Sequence, residues 1–159
     1  MKAGRILAAM ALLAGATNAA SAQTATQVVT FQVAAINQIS FSGSPSLVVN
    51  TATAGNDPTS ASDASATWAV TTNQTNAKIT ASINSAMPAG LTLNVSLGAP
   101  AGTTAIGNSL STTAVDLVTG ITKLAQSGLT VTYSLDATPA AGVVASTTRT
   151  VTYTITGGT

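Results

Sequence analysis

The chain contains no cysteine and no histidine, and its four acidic residues, Asp57, Asp63, Asp116 and Asp136, include no glutamate. Those absences exclude disulfide staples, thiol chemistry, histidine-based acid/base catalysis and the common zinc sites. Charge is sparse as well: 6% of residues are charged, against roughly a quarter in ordinary soluble domains. A surface of that kind lacks the repulsion that keeps copies of a protein apart, and it suits a subunit that packs against itself. Only five aromatic residues occur, Phe31, Phe41, Trp68, Tyr133 and Tyr153. What remains is Thr, Ser, Ala and Val in alternating runs, which is material for β-structure.

Residues 1–22 have the three parts of a secretory signal. Lys2 and Arg5 give a positive start, residues 6–16 an apolar stretch, and Ala20-Ser21-Ala22 a small-residue cleavage site before Gln23. The apolar stretch is about half the roughly 20 residues that a membrane-spanning helix requires, so the expectation is an exported chain, secreted or at the cell surface, with no membrane insertion. Cleavage there leaves residues 23–159 with Lys78, Lys123 and Arg149 against four aspartates. No basic cluster survives, which excludes the phosphate-neutralising surface that nucleic-acid binding requires.

Period-two alternation runs through most of residues 23–159, and no 3.6-residue apolar stripe competes with it. The runs are Val29-Phe31-Val33, Ile39-Phe41, residues 47–49, Ala66-Trp68-Val70, Ala77-Ile79-Ala81-Ile83, Leu91-Leu93-Val95-Leu97, a weaker stretch at 115–121, Leu129-Val131-Tyr133-Leu135 and Val151-Tyr153-Ile155. Gly-, Pro- and Asn-containing turns separate them, among them 42–45, 55–58, 73–76, 88–90, 98–102, 126–128 and 139–142. Seven to nine short strands, each with one apolar face, cannot all be covered in one open sheet. The predicted fold is a single all-β domain, an immunoglobulin-like antiparallel β-sandwich, with Trp68 between its sheets. Stretches 50–65 and 99–113, rich in Ala, Ser, Thr and Gly, are expected to be loops.

Catalytic and metal-binding arrangements find little support. A serine nucleophile could use only Lys78 or Lys123 as base, and neither follows Ser-x-x; Thr75-x-x-Lys78 exists but sits where a turn enters a strand. The aspartates suggest no catalytic pair, so no catalytic residue, cofactor site or resident metal is assigned and the chain is expected not to be an enzyme. Asn56, Asp57 and Asp63 could offer oxygens to Ca²⁺, without EF-hand spacing. The sequons Asn73-Gln74-Thr75 and Asn94-Val95-Ser96, and the Thr rows at 130–132 and 150–156, are each explained by chance or by β-propensity.

The ends of the chain are more telling. Residues 23–35 form an alternating N-terminal strand, and Val29, Phe31 and Val33 are candidate donor positions for β-strand exchange with a second copy. The same alternation suits a first strand within its own sheet. Val151, Tyr153 and Ile155 are the matching candidates on the last strand. From Tyr133-Ser134-Leu135-Asp136 through Ala141-Gly142 to Thr150-Val151-Thr152-Tyr153-Thr154-Ile155, the chain resembles the closing strands of secreted bacterial pilin-like domains, notably the spore coat protein U and fimbrial subunit families. It departs from them in lacking a Cys pair and in carrying residues 157–159 after the strand. The resemblance implies a bacterial structural subunit of a surface filament or coat, self-associating by strand exchange, with further copies of itself as partner and an assembly chaperone as a second. The alternative is a monomeric secreted module that binds glycan or cell wall.

Overall fold

The alternating runs become strands, and nearly every strand changes sheet from its predecessor. The computed structural model describes residues 21–158; the expected signal, residues 1–22, lies outside them apart from Ser21 and Ala22. Residues 33–158 hold nine strands: β1 (Asn37–Ser42), β2 (Ala61–Thr72), β3 (Ala77–Ile83), β4 (Leu91–Leu97), β5 (Thr104–Ala105), β6 (Asn108–Ser109), β7 (Val115–Ile121), β8 (Leu124–Ala137) and β9 (Val151–Thr156). One sheet has the order β1-β2-β8-β4-β6 and the other β5-β7-β3-β9, with every pairing antiparallel. From β3 onward each strand lies in the opposite sheet to the one before it, so the turns between them bridge the two layers. Asn76 and Lys123, in the β2–β3 and β7–β8 connections, take positive φ values of 54° and 43°. The expected antiparallel β-sandwich is the observed fold.

Both inner faces follow the predicted phase. Trp68 and Val70 of β2, Ile79 and Ala81 of β3, Val95 and Leu97 of β4, and Val131 of β8 are all buried, with Leu117, Val118 and Ile121 of β7 among the most enclosed. At roughly 1.5–3 kcal/mol per large apolar side chain, this shared core supplies the stability that a chain without disulfides must find elsewhere.

Several local expectations are corrected. Residues 47–49 form no strand, and the β-pairing within 43–60 is limited to an isolated bridge between Ala52 and Pro58, around a turn at 54–56. The expected loop 50–65 ends earlier, because β2 begins at Ala61 and its small polar residues pair with the far half of β8. β-Propensity is weak there, and the neighbouring long strand supplies the ladder instead. The register shifts between Asp63 and Ala66, where Asp63 Oδ1 accepts the Ser65 N–H at 2.8 Å. The turn expected at 126–128 is a bulge inside the 14-residue β8. Two residues, Ser127 and Gly128, oppose the single Ala69, and Gly128 takes φ 69°, the left-handed conformation such bulges favour. The expected loop 99–113 carries the two-residue strands β5 and β6.

Residues 21–36 have no strand, helix, turn or bend. The first strand among the described residues is β1, and the stretch 23–35, expected as a strand, is not assigned as one. Val28, Val29, Phe31 and Val33 are 93%, 72%, 90% and 78% exposed.

Candidate assembly edge

The sandwich is lopsided. On one flank the sheets end in β5 and β6, of two residues each, which blunt their edges. On the other flank they end in β1 and β9, of six residues each. Neither sequence, NQISFS or VTYTIT, contains a charge or a proline. These are the devices by which soluble sheets discourage a further strand, and β1 and β9 carry none of them. Phe41 of β1 and Tyr153 of β9 stack with ring centroids 3.8 Å apart, so the two open edges lie side by side.

The phase of each ladder decides what its edge offers. Antiparallel strands alternate between residues whose N–H and C=O face the partner and residues whose groups face away. At the start of β9, the Asn84 N–H donates to the Thr150 carbonyl at 3.1 Å, so Thr150, Thr152, Thr154 and Thr156 face β3. The main-chain groups of Val151, Tyr153 and Ile155 therefore face outward. At β1, the Asn73 N–H donates to the Ile36 carbonyl at 3.2 Å, which turns Ile36, Gln38 and Ser40 toward β2 and leaves Asn37, Ile39 and Phe41 facing outward. Ile39, Phe41, Val151, Tyr153 and Ile155 are also the half-buried apolar residues packed against the core. On both edges, the residues that present unpaired ladder groups are those whose side chains reach into the sandwich.

An aromatic chain closes the space behind this flank. The Trp68 ring lies 6.0 Å from that of Phe41, with the two planes nearly parallel at 11°. Phe41 stacks on Tyr153, and the Tyr153 hydroxyl meets the Tyr133 hydroxyl at 2.5 Å. Burial raises the pKa of both phenols. For Tyr133 the bond to Tyr153 works against that rise, whereas for Tyr153 the neighbouring Tyr133 adds to it. Four of the five aromatic rings are thus committed to the interior, and Phe31 is the exposed one.

Three of the candidate groups elsewhere, Asp63, Lys78 and Asn94, are engaged in structural contacts. Asp63, considered for Ca²⁺, accepts the Ser46 and Ser65 N–H groups at 2.8 Å each. Its hydrogen bonds with Ser65 and Ser46 hold its carboxyl below the ordinary aspartate value. No group of three or more His, Cys, Asp or Glu gathers among the described residues. Lys78 of the Thr-x-x-Lys stretch bonds Asp116 Oδ1 at 2.9 Å across β3 and β7, both side chains being nearly half exposed. The sequon residue Asn94 donates to Asp136 Oδ2 at 2.6 Å and accepts from Ser109 Oγ at 2.7 Å.

The structure places the anticipated Val151, Tyr153 and Ile155 on an open edge, and Val29, Phe31 and Val33 in the exposed N-terminal segment. Ile39 and Phe41 were anticipated only as strand residues. Their alternation was visible, but which strand ends a sheet depends on long-range pairing that no local pattern encodes. Comparison of the chain with protein-family models, with curated proteins and with solved structures finds no match in any of the three.

Proposed function

We propose that the chain is an exported, non-enzymatic structural subunit of a surface filament or coat, in which residues 23–35 of one copy add as a strand to the free edge of β9 in the next. The observation that carries this reading is the coincidence on β9 of outward main-chain groups with half-buried apolar side chains on a six-residue edge that carries neither charge nor proline. The N-terminal segment has the matching character: Val29, Phe31 and Val33 alternate with Thr30 and Gln32 and are exposed. β9 is preferred to β1 because its three outward residues are all apolar, whereas β1 offers Asn37, whose side chain already accepts a hydrogen bond from Thr72 at 2.7 Å.

Magnitudes show why the contact would depend on each anchor. Burying three large apolar side chains contributes about 5–8 kcal/mol, and each ladder hydrogen bond adds about 1 kcal/mol net. A charge at Phe31 removes one of the three apolar anchors and puts an unpaired charged group where burial is required, which opposes the contact directly. The test is the full chain produced in an exporting host, beside Phe31→Asp, each examined by size-exclusion chromatography with light scattering and by SDS resistance. Large, SDS-resistant species from the parent chain and monomers from Phe31→Asp support strand exchange; polymers of equal size from both refute it. The rival glycan-binding reading draws no support from the sandwich, since residues 33–158 present no fully exposed aromatic ring for sugar stacking.

A further inference from the structure

The root of the N-terminal segment is held by a side chain that the sequence marks only as a turn residue and the start of a sequon. Asn73, just past the end of β2, receives the Ile36 N–H on its Oδ1 at 2.8 Å and donates from Nδ2 to the Ala34 carbonyl at 2.7 Å. Its own N–H donates to the Ile36 carbonyl at 3.2 Å. Gln74 Nε2 donates to the same Oδ1 at 2.8 Å, which fixes the orientation of the amide. The carboxamide presents one acceptor and one donor, as a peptide group does, and so continues the β2 side of the ladder beyond the point where β2 itself ends. Ala34, Ile36, Gln38 and Ser40 therefore all direct main-chain groups to the same side, and the path of β1 is carried straight back to Ala34.

A subunit that exchanges strands has a competing closed form, in which the segment folds back onto its own open flank and ends growth. That closure requires a chain reversal between the donor residues and β1. The shortest reversal that leaves Val29, Phe31 and Val33 all available as anchors falls at 34–36. None of Ala34, Ala35 and Ile36 is a residue that favours turns, and two of the three are tied down by Asn73. A reversal placed earlier consumes Val33 in the turn.

We infer that Asn73 is a positioning residue for strand exchange: by clamping Ala34 and Ile36 it blocks self-insertion of residues 23–33 and so commits that segment to a neighbouring copy. The inference rests on the strand-exchange reading, and its test separates the two. Asn73→Ala removes the side-chain clamp and keeps the main-chain bond. The variant should shift the exported protein toward monomer, with a rise of about tenfold or more in the monomer-to-polymer ratio, the factor set by roughly one lost net hydrogen bond. In that monomer the amides of residues 28–33 should be protected from hydrogen exchange, because the segment now lies in its own sheet. A second variant, two glycines inserted between Ala34 and Ala35, leaves Asn73 intact, frees the reversal and should behave the same way; it decides the matter if Asn73→Ala does not fold. Polymerisation of both variants at the parent rate and extent, or monomers whose residues 28–33 exchange freely, overturns the role of Asn73. Phe31→Asp tests the parent reading separately. If it blocks assembly while the Asn73 variants assemble normally, only the clamp is lost; if it assembles normally, strand exchange itself fails.

Discussion

The hydroxyls of Tyr133 and Tyr153 meet at 2.5 Å, joining an inner strand of the five-stranded sheet to the edge strand of the other. This polar bond lies at the margin of a largely apolar interior, behind the flank that ends in β1 and β9. Removing one partner leaves the other hydroxyl partly buried without it, at a cost of about 1–3 kcal/mol. Tyr133→Phe and Tyr153→Phe should each lower the unfolding free energy by that order in urea denaturation. The double variant should lose less than the sum of the two, since it strands no hydroxyl. Strict additivity would show that the bond carries no coupling energy.

The same pair sets the alkaline limit of stability. Burial raises both phenols above their unfolded value near 10. Both groups are neutral in the folded and unfolded states at lower pH, and the full stability is present there. Above about pH 10 the unfolded chain releases phenolic protons that the folded chain retains, so stability falls as pH rises. Melting temperature measured from pH 8 to 12 should fall across the upper part of that range, and Tyr133→Phe/Tyr153→Phe should flatten the fall.

Asp63 acts at the opposite end. Its hydrogen bonds with Ser65 and Ser46 hold its pKa below the unfolded value of 3.8. Its contribution is present above that value and is lost as pH falls through the depressed folded one. Because the carboxylate is exposed, the effect belongs to the start of β2 and its contact with Ser46 more than to the global fold. Asp63→Asn should weaken the acid dependence of hydrogen-exchange protection at Ser46 and Ser65, and an unchanged profile at those amides would remove Asp63 from the acid limb.

The interior makes a simpler demand. Leu117 is fully buried between the sheets, and its truncation removes apolar contacts that cannot reform. Leu117→Ala should cost about 2–5 kcal/mol in chemical denaturation. A cost below about 1 kcal/mol would mean that β7 packs loosely, against its burial.

How much of this could be read from the chain is clear from particular residues. Trp68, Ile79, Val95 and Val131 announce the sandwich because alternating apolar residues have only one way to be covered on one face. The first half of β2 was hidden, since Ala61, Ser62 and Ser65 have weak strand propensity and owe their ladder to β8. Gly128 looked like a turn because a left-handed glycine serves a bulge as readily as a hairpin. The open flank was legible only in part. Val151, Tyr153 and Ile155 were visible as a terminal strand, but their place at a sheet edge comes from pairing with β3, and the contact of Phe41 with Tyr153 joins the first and last strands of the fold; both are long-range relationships. Asn73 had no sequence signal beyond a turn residue, since its clamp exists only when β1 lies beside β2.

The ladder phase of β9 yields the sharpest test of the assembly edge, because proline removes an N–H wherever it is placed. The N–H of Val151 faces outward at the first position of the strand, a place where proline is tolerated in sheets. The N–H of Thr152, paired with Ser82, faces β3 and belongs to the ladder within the subunit. Val151→Pro should therefore keep the fold, with a cooperative melt close to that of the parent chain, while weakening or abolishing polymer formation. Thr152→Pro should destabilise the subunit itself by about 3 kcal/mol or more. The comparison is internal, since both changes put the same ring into the same strand one residue apart. If Val151→Pro assembles as the parent does, the outward edge of β9 is not where a neighbour adds its strand. If instead Thr152→Pro proves the milder of the two in denaturation, the phase assigned to β9 is inverted and Val151, Tyr153 and Ile155 face β3.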